Sequence, residues 1–317
     1  MNPLGDDAPY QPSTSAHPAT AAAPSGAASG GSTANGAGEL KVTRASLEEW
    51  HQVVEWAAEE EWNPGQGDTA CFHATDPEGF FIGRLAGRPV SAVSVVNYSE
   101  QFAFLGYYLV HPDHRGRGLG MATWRAAVPH AGNRTIGLDA VPAQEATYQR
   151  SGFSAVHRTS RYAGRPSRAG APSAVVVPVT EAHLDAIAAY DRQCFPADRR
   201  AFLGRWLTAA GHTAYVCPRD GGIAGYGVIR PARDGRRIGP LFADTSDVAA
   251  ALLDALCTHL GPAEETCIDV PEAHDAARSL AASRGLEPRS HTVRMYAGTA
   301  PTMRGEHVFG VTSLELG

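Results

Sequence analysis

Residues 107–127 read YYLVHPDHRGRGLGMATWRAA, and this stretch decides the fold of the first part of the chain. Its apolar start predicts a buried strand that ends at Val110, and a helix is predicted from about Leu119 to His130. The turn between them, 115–120, contains three glycines, which adopt positive φ and allow close approach of a ligand to the backbone. Because backbone N–H groups at a helix start attract anions, the stretch predicts a phosphate or pyrophosphate site.

Other phosphate-binding loops fit this stretch less well. A dinucleotide-binding G-x-G-x-x-G loop would need a third glycine at another spacing and a preceding βαβ unit. A P-loop would need Gly-Lys followed by Ser or Thr, which is absent. A solvated basic turn remains the alternative interpretation, in which Arg115 and Arg117 bind nothing in particular.

The segments around the turn predict a mixed α/β architecture. Ser46 and Glu49 have the spacing of a capping box at the start of an amphipathic helix. GFFIGRL and PVSAVSVVNY predict a hairpin, QFAFLGYYLV a central strand, and TIGLDA and FSAVHRTSRY two later strands. The predicted order is β, α, α, β, β, β, loop, α, β, α, β, which fits a mixed sheet covered by helices.

The second half of the chain repeats this pattern. LDAVPAQEATYQRSGFSAVHRTSRYAG (138–164) is similar to IDVPEAHDAARSLAASRGLEPRSHTVRMYAG (268–298). Two tandem copies of one fold are therefore predicted. We expect a disordered tail over 1–38, which is rich in Ala, Gly, Ser, Thr and Pro, a first domain over 39–164, a linker over 165–173 and a second domain over 174–317.

The segment VHPDHRGRGLG (110–120) resembles the acetyl-CoA signature of the GCN5-related N-acetyltransferases (GNAT), whose core Arg-x-x-Gly-x-Gly is met at 115–120. The flanking elements, up to about residue 163, also follow the family order. The resemblance implies a GNAT fold, an acetyl-CoA co-substrate and no metal. The tandem arrangement resembles bacterial family members with two domains.

The resemblance also implies roles for individual residues. Tyr148 matches the family's tyrosine near the CoA sulfur and would protonate the leaving thiolate as general acid. A backbone N–H near Val110 would polarise the thioester carbonyl. The strand end would hold the pantetheine arm and the turn would hold the pyrophosphate, which gives the cofactor-binding set Leu109, Val110, Arg115, Gly116, Arg117, Gly118, Leu119, Gly120 and Met121.

The acceptor amine needs a base or a water chain to remove its proton. Glu60 and Glu61 end the first helix, where the family usually forms its acceptor site, and they are the candidate catalytic carboxylates. A solvated acidic helix end is the alternative interpretation for both residues.

The second copy lacks the residues that carry this chemistry. Its corresponding loop, IGPLFADTSDVAA, has no Arg-x-x-Gly-x-Gly, and Asp244 and Asp247 would repel a pyrophosphate. When Gly152 is aligned with Gly285, Ala281 stands at the position of Tyr148. We therefore expect a degenerate domain that shapes the acceptor site without binding CoA.

Composition limits the remaining possibilities. The net charge of −6 over 317 residues argues against a general nucleic-acid binder, and no apolar run is long enough to span a membrane. Five scattered cysteines favour buried thiols in the cytoplasm. The expected function is transfer of an acetyl group to a primary amine of a small molecule, by a monomer or homodimer. A protein lysine or peptide N-terminal acetyltransferase and a non-catalytic CoA-binding sensor are the alternatives.

Overall fold

The computed structural model describes residues 39–167 and 174–317. The tail predicted over 1–38 and most of the linker predicted over 165–173 lie outside this part of the chain. The boundaries of the four predicted segments stay predictions.

The first half follows the predicted order of elements. Ser46 Oγ accepts a hydrogen bond from the Glu49 N–H at 3.2 Å, and the Glu49 carboxylate accepts one from the Ser46 N–H at 2.9 Å, so the capping box is confirmed. The elements of residues 39–167 are β1 Lys41–Arg44, α1 Leu47–Glu59, α2 Asp68–His73, β2 Phe80–Leu85, β3 Arg88–Asn97, β4 Phe102–Val110, α3 Leu119–Ala127, β5 Thr135–Ala140, α4 Glu145–Arg150 and β6 Ser154–Gly164.

The second half repeats the same series and adds one short strand. Its elements are β7 Val177–Pro178, α5 Leu184–Cys194, α6 Arg200–Trp206, β8 Thr213–Arg219, β9 Gly222–Pro231, β10 Arg236–Ala243, α7 Ser246–Cys257, β11 Thr266–Pro271, α8 Asp275–Ser283, β12 Glu287–Ala297 and the additional β13 Val308–Gly310.

The strands of the described residues form one continuous mixed sheet. Its order is β1-β2-β3-β4-β5-β12-β6-β11-β10-β9-β8-β7, and β13 pairs with β10. The β4–β5 and β10–β11 pairs are parallel and the other pairs are antiparallel. The predicted mixed sheet is confirmed.

The two halves exchange their last long strands. β12 of the second half pairs with β5 of the first half, from Val293↔Ala140 to Ala297↔Ile136. In return, β6 of the first half pairs with β11 from Thr266↔Gly164 to Pro271↔Thr159. The domains are therefore not separate packing units, because each contains a strand from the other.

The hydrophobic cores reflect this joint packing. Trp124 and Tyr148 belong to a core on the face of the first-half sheet that α3 and α4 cover. The opposite face carries a larger core to which both halves contribute, and in it Phe72 of α2 lies 4.9 Å, between ring centroids, from Phe202 of α6. We call this opposite face the shared face.

None of the helices in residues 39–167 and 174–317 combines the length and the apolar character that crossing a membrane requires.

Candidate active site

The centre of the site is a gap between β4 and β5. These parallel strands pair only from Phe102↔Thr135 to Phe104↔Gly137. The later part of β4 keeps β3 on its other side, through Ala92↔Leu109 and Ser91↔Val110. The β5-facing backbone groups of this part of β4, which include the Val110 N–H, therefore have no strand partner, and an extended ligand can bind them as a strand would.

A bulge in β4 lies beside this gap. The β3–β4 register shifts between Ala92 and Ser94, and Tyr107 has φ of 47°, in the left-handed region. Bulges redirect backbone and side-chain groups and are frequent next to active sites. The sequence analysis missed Tyr107, because no glycine marks its conformation.

The glycine-rich turn joins the end of β4 to α3. Gly116 and Gly118 have φ of 72° and 75°, and no atom lies within 4 Å of the position that a Cβ would take in either residue. Gly118 is the N-cap of α3 and supplies no side-chain cap, and the first turn of α3 has no acidic residue. The first N–H groups of a helix lack intrahelical acceptors, so this end of α3 suits an anion.

Gly120 brings α3 directly against β4. A Cβ at Gly120 would lie 2.7 Å from Val110 Cγ2 and 2.9 Å from the Tyr108 hydroxyl oxygen. Only glycine permits this approach, which places the open helix end next to the open strand edge. Leu119 and Met121 follow in the same first turn of α3.

The structure links two of the predicted site residues to each other. The Arg115 guanidinium forms an ion pair with the Glu60 carboxylate, and its Nε donates to the Val110 carbonyl at 3.0 Å. This ion pair connects Glu60 with the glycine-rich turn. Glu61 is exposed, and its φ of 62° lies in the left-handed region, where the chain leaves α1. Arg117 is exposed, and its Nη1 lies 3.0 Å from Nδ1 of His114.

Tyr148 lies behind the gap, on the α3 and α4 face. Its ring packs 5.7 Å from Trp124, 6.1 Å from Phe153 and 6.4 Å from Tyr108, measured between centroids. Burial raises the pKa of Tyr148, so the phenol stays protonated at neutral pH. Burial also raises the pKa of Tyr108 to about 12, and the sequence analysis did not single out that residue.

The C-terminal segment 311–317 lies on the shared face, directly under the bulge. A Cβ at Gly106 would lie 1.5 Å from the Glu315 carbonyl oxygen, and Tyr98 donates its hydroxyl hydrogen to the Leu316 carbonyl at 2.6 Å. The Glu315 carboxylate accepts from Arg237 Nη1 at 2.8 Å and from Ser313 Oγ at 2.5 Å. Burial opposes ionisation of Glu315, but Arg237 and Arg161 outweigh it and lower its pKa.

A row of charged residues connects this segment with the centre of the sheet. Asp139 of β5 accepts two hydrogen bonds from Arg294 of β12, at 2.9 and 2.7 Å. Asp269 of β11 is bonded to Arg161 at 2.7 Å and to Arg237 at 2.9 Å. These bidentate and bridging pairs connect the exchanged strands, and they give both carboxylates arginine partners.

The corresponding gap of the second half is filled. β10 and β11 pair only from Arg236↔Thr266 to Ile238↔Ile268. Beyond that point β13 pairs with β10 through Leu241↔Gly310, and the Val311 N–H donates to the Asp269 carbonyl at 2.9 Å. The chain's own strand thus takes the place that is open between β4 and β5.

The helix after β10 is also closed to anions. Thr245 is the N-cap of α7, and its side chain accepts from the Val248 N–H at 3.3 Å. Asp247 stands in the first turn. At the end of α8, the Leu286 N–H donates to the Ala281 carbonyl at 3.1 Å, in the same way as the Phe153 N–H donates to the Tyr148 carbonyl at the end of α4. Ala281 therefore stands at the position of Tyr148, and the second half has no phenol there.

No cluster of three or more His, Cys, Asp or Glu side chains that could hold a metal ion occurs among residues 39–167 and 174–317.

Comparisons with known proteins identify the family of this chain. Residues 46–153 match the Acetyltransferase (GNAT) family, and residues 187–310 match an Acetyltransferase (GNAT) domain. The Holothin acyltransferase of Pseudoalteromonas sp. (strain SANK 73390) is 35% identical over 274 residues, which cover 86% of this chain and 93% of that relative.

Two solved structures show the same fold. One from Pyrococcus horikoshii has a TM-score of 0.74 at 22% identity, over 88% of this chain and 96% of that chain. A tandem GNAT protein from the clavulanic acid biosynthesis pathway has a TM-score of 0.59 at 17% identity, over 83% of this chain and 100% of that chain. With two GNAT domains, an open strand gap and an acyltransferase relative that matches almost throughout, the chain belongs to the GNAT family of acyltransferases, which use acyl-CoA.

Proposed function

We propose that the protein transfers the acetyl group of acetyl-CoA to a primary amine of a small molecule. The observation that carries this proposal is the β4–β5 gap, which leads from an unpaired strand edge to the uncapped start of α3. An extended pantetheine arm and a pyrophosphate need these two features side by side. The second half offers neither, so we propose one acetyl-CoA site in each chain.

In the proposed complex, the backbone of Leu109 and Val110 holds the pantetheine arm. The backbone N–H groups of residues 116–121 hold the pyrophosphate, and Arg117 adds positive charge. Arg115 positions the turn through Glu60 and the Val110 carbonyl, so we assign it a positioning role in place of direct phosphate contact.

The proposed reaction is direct attack of the amine nitrogen on the thioester carbonyl carbon. The new C–N bond forms as the C–S bond breaks, and a backbone N–H near Val110 stabilises the negative charge on the carbonyl oxygen. The amine proton leaves to water, and the CoA thiolate takes a proton from Tyr148. Burial keeps this phenol protonated at neutral pH, so it has a proton to donate, and the phenolate then regains a proton from water.

Glu60 is not our candidate for a general base, because its carboxylate pairs with Arg115. Glu61 is exposed. We propose that water removes the proton, and that the acceptor has low basicity so that no strong base is needed.

A small acceptor is favoured over a protein lysine. Residues 311–317 and the second half cover the shared face beneath the bulge, which limits the size of an acceptor that can approach from that face. The relative named Holothin acyltransferase supports an acceptor of that size class, and holothin is the first compound to test. We propose no nucleic-acid or membrane partner and a monomer or homodimer. Four buried free thiols, Cys71, Cys194, Cys217 and Cys267, support work in the reducing cytoplasm.

The test is release of CoA thiol from acetyl-CoA with holothin and a panel of amines, with product identity checked by mass spectrometry. We expect amine-dependent release and an N-acetylated product. Release with lysine peptides alone would support the protein acetyltransferase instead. Binding of acetyl-CoA without release for any amine would support the non-catalytic sensor. Longer acyl-CoA donors run in parallel define the chain length of the acyl group.

A further inference from the structure

The connection between α1 and α2, residues 60–67, carries a half-buried tryptophan to the open part of β4. The Trp62 ring lies 6.3 Å, between centroids, from the ring of Tyr107, the left-handed residue of the β4 bulge. Tyr107 comes after Phe104, the last β4 residue that pairs with β5. Trp62 and Tyr107 belong to the core of the shared face, whereas Tyr148 belongs to the core of the opposite face. Trp62 therefore lies beside the gap, on the side opposite to Tyr148.

The end of α1 determines where Trp62 lies. The Trp62 N–H donates to the Ala57 carbonyl at 3.0 Å and the Glu61 N–H donates to the Ala58 carbonyl at 3.1 Å, which are the hydrogen bonds of a Schellman motif. Glycine is usual at the left-handed position of this motif, but here Glu61 occupies it. On the other side of Trp62, Asn63 is also left-handed, with φ of 51°. Two such non-glycine residues cost conformational energy, so other contacts must hold this connection in place.

The turn between β9 and β10, residues 232–235 of the second half, supplies several of those contacts. The Asn63 side-chain amide donates to the Asp234 carbonyl at 2.9 Å, and Asn63 Oδ1 accepts from the Asp234 N–H at 2.9 Å. Gly65 forms a β-bridge with Ala232. The backbone of the second half therefore satisfies both ends of the Asn63 amide and continues as a short ladder beyond it.

Two buried arginines fix the backbone on the other side. Arg161 of the exchanged strand β6 donates from Nη1 to the Trp62 carbonyl at 2.7 Å. Arg237 of β10 donates from Nη1 to the Asn63 carbonyl at 3.1 Å. The backbone of Trp62 and Asn63 is thus held from both sides, while the Trp62 side chain itself stays only half-buried.

We infer that Trp62 is a specificity-determining residue for the acceptor amine, and that the second half serves the reaction by holding Trp62 beside the gap. This inference rests on the proposed function. An amine that reaches the thioester from the shared face passes the Trp62 indole, and a flat ring next to the amine nitrogen can stack on it. The arrangement therefore favours an acceptor with a flat ring over an aliphatic acceptor of similar basicity.

The first test changes Trp62 itself. Trp62→Leu keeps an apolar side chain and removes the flat ring, and Trp62→Phe is the matched control that keeps a ring. The probes are p-anisidine and 2,2,2-trifluoroethylamine, two weakly basic primary amines of which only the first has a ring. Thiol release measures KM and kcat, and calorimetry with CoA present measures amine binding. We expect Trp62→Leu to raise the KM for p-anisidine about tenfold, the loss typical of one aromatic pair, while the KM for 2,2,2-trifluoroethylamine, kcat and acetyl-CoA affinity stay unchanged.

The second test releases the connection from the second half. Asn63→Gly keeps a residue that adopts positive φ and removes both side-chain hydrogen bonds to Asp234. Arg233→Gln is the matched control, because it breaks an exposed ion pair with Glu55 and leaves the backbone of the turn intact. We expect Asn63→Gly to raise the KM for p-anisidine about fivefold and to speed amide hydrogen exchange over residues 61–66, and Arg233→Gln to change neither quantity.

An equal rise in KM for both amines in Trp62→Leu, or a rise for neither, overturns the role of Trp62. Unchanged p-anisidine binding in Asn63→Gly overturns the role of the second half. Failure of the proposed function has another signature, namely acetyl-CoA binding without amine-dependent thiol release in the wild type. Calorimetry still decides the inference in that case. Loss of p-anisidine binding in Trp62→Leu supports it, and absence of p-anisidine binding in the wild type overturns it.

Discussion

The two strand gaps of this sheet differ in what occupies them. Between β4 and β5, the part of β4 beyond Phe104 has no partner on β5, whereas β13 fills the gap between β10 and β11. The starts of the two following helices differ in the same way. The N-cap of α3 is Gly118, which supplies no side-chain cap, whereas α7 is capped by Thr245 and has Asp247 in its first turn. The comparison teaches that a domain can keep its packing after its ligand groups have been replaced by internal contacts.

The largest expected effect is on acetyl-CoA binding, and it follows when the start of α3 is given an acidic residue like the one at the start of α7. Gly118→Glu places a carboxylate where the pyrophosphate is proposed to bind, and charge repulsion should weaken acetyl-CoA binding at least 100-fold, or about 2.7 kcal/mol. Calorimetry measures the affinity. Gly118→Ala is the control, because it has the same positive-φ strain without the charge. Equal losses in both variants would show that strain, not anion binding, is responsible.

The next effect concerns the phenol that the second half lacks. Tyr148→Phe should lower kcat roughly 100-fold, the lower range for loss of a general acid, with little change in acetyl-CoA affinity. Steady-state kinetics and calorimetry separate the two quantities. Tyr108→Phe serves as a control for loss of a neighbouring hydroxyl. An equal fall in kcat for both variants, or a large loss of acetyl-CoA affinity in Tyr148→Phe, contradicts the assigned role.

A smaller effect is expected when the filled gap is disturbed. A Cβ at Gly310 would lie 2.7 Å from Ile268 Cδ1, so Gly310→Val should lower the free energy of unfolding by about 1–3 kcal/mol through overpacking. Urea denaturation measures this loss. Acetyl-CoA affinity should not change, since the open gap lies in the other half. Binding of a second acetyl-CoA to the wild-type chain would remove the basis of the comparison.

The smallest effect concerns the pH dependence of stability. His157 has its pKa lowered from 6.5 to about 4 by burial and Arg294. The unfolded chain therefore binds more protons between these values, and this contribution to stability, present above pH 6.5, is lost as the pH falls toward 4. His157→Gln should reduce the loss of unfolding free energy between pH 7 and 5 by on the order of 1 kcal/mol. Identical pH profiles in urea denaturation would contradict the lowered pKa of His157.

Local signals predicted much of this fold. The capping box at Ser46, the hairpin before β4 and the glycine-rich turn at 115–120 depend on neighbours in sequence, and the structure has each of them. The match of Ala281 with Tyr148 could also be made by sequence, because both precede the same Gly-turn at fixed distance.

Contacts between distant residues could not be predicted. β6 ends in RYAG, and β12 ends in MYA followed by Gly298, so their sequences give no reason to prefer the partner in one half over the other. The pair of Glu60 and Arg115 joins residues 55 positions apart, and the sequence analysis assigned them separate roles. The place of β13 in the β10–β11 gap depends on three-dimensional packing alone.

The strand exchange also determines how this chain can come apart. Since β6 is hydrogen-bonded to β11 and β12 is hydrogen-bonded to β5, pulling the halves away from each other breaks backbone ladders in both. A chain cut between Ser167 and Ala174 should therefore remain a tight two-fragment complex. Heating should melt the molecule in a single cooperative transition, with no intermediate in which one half survives alone.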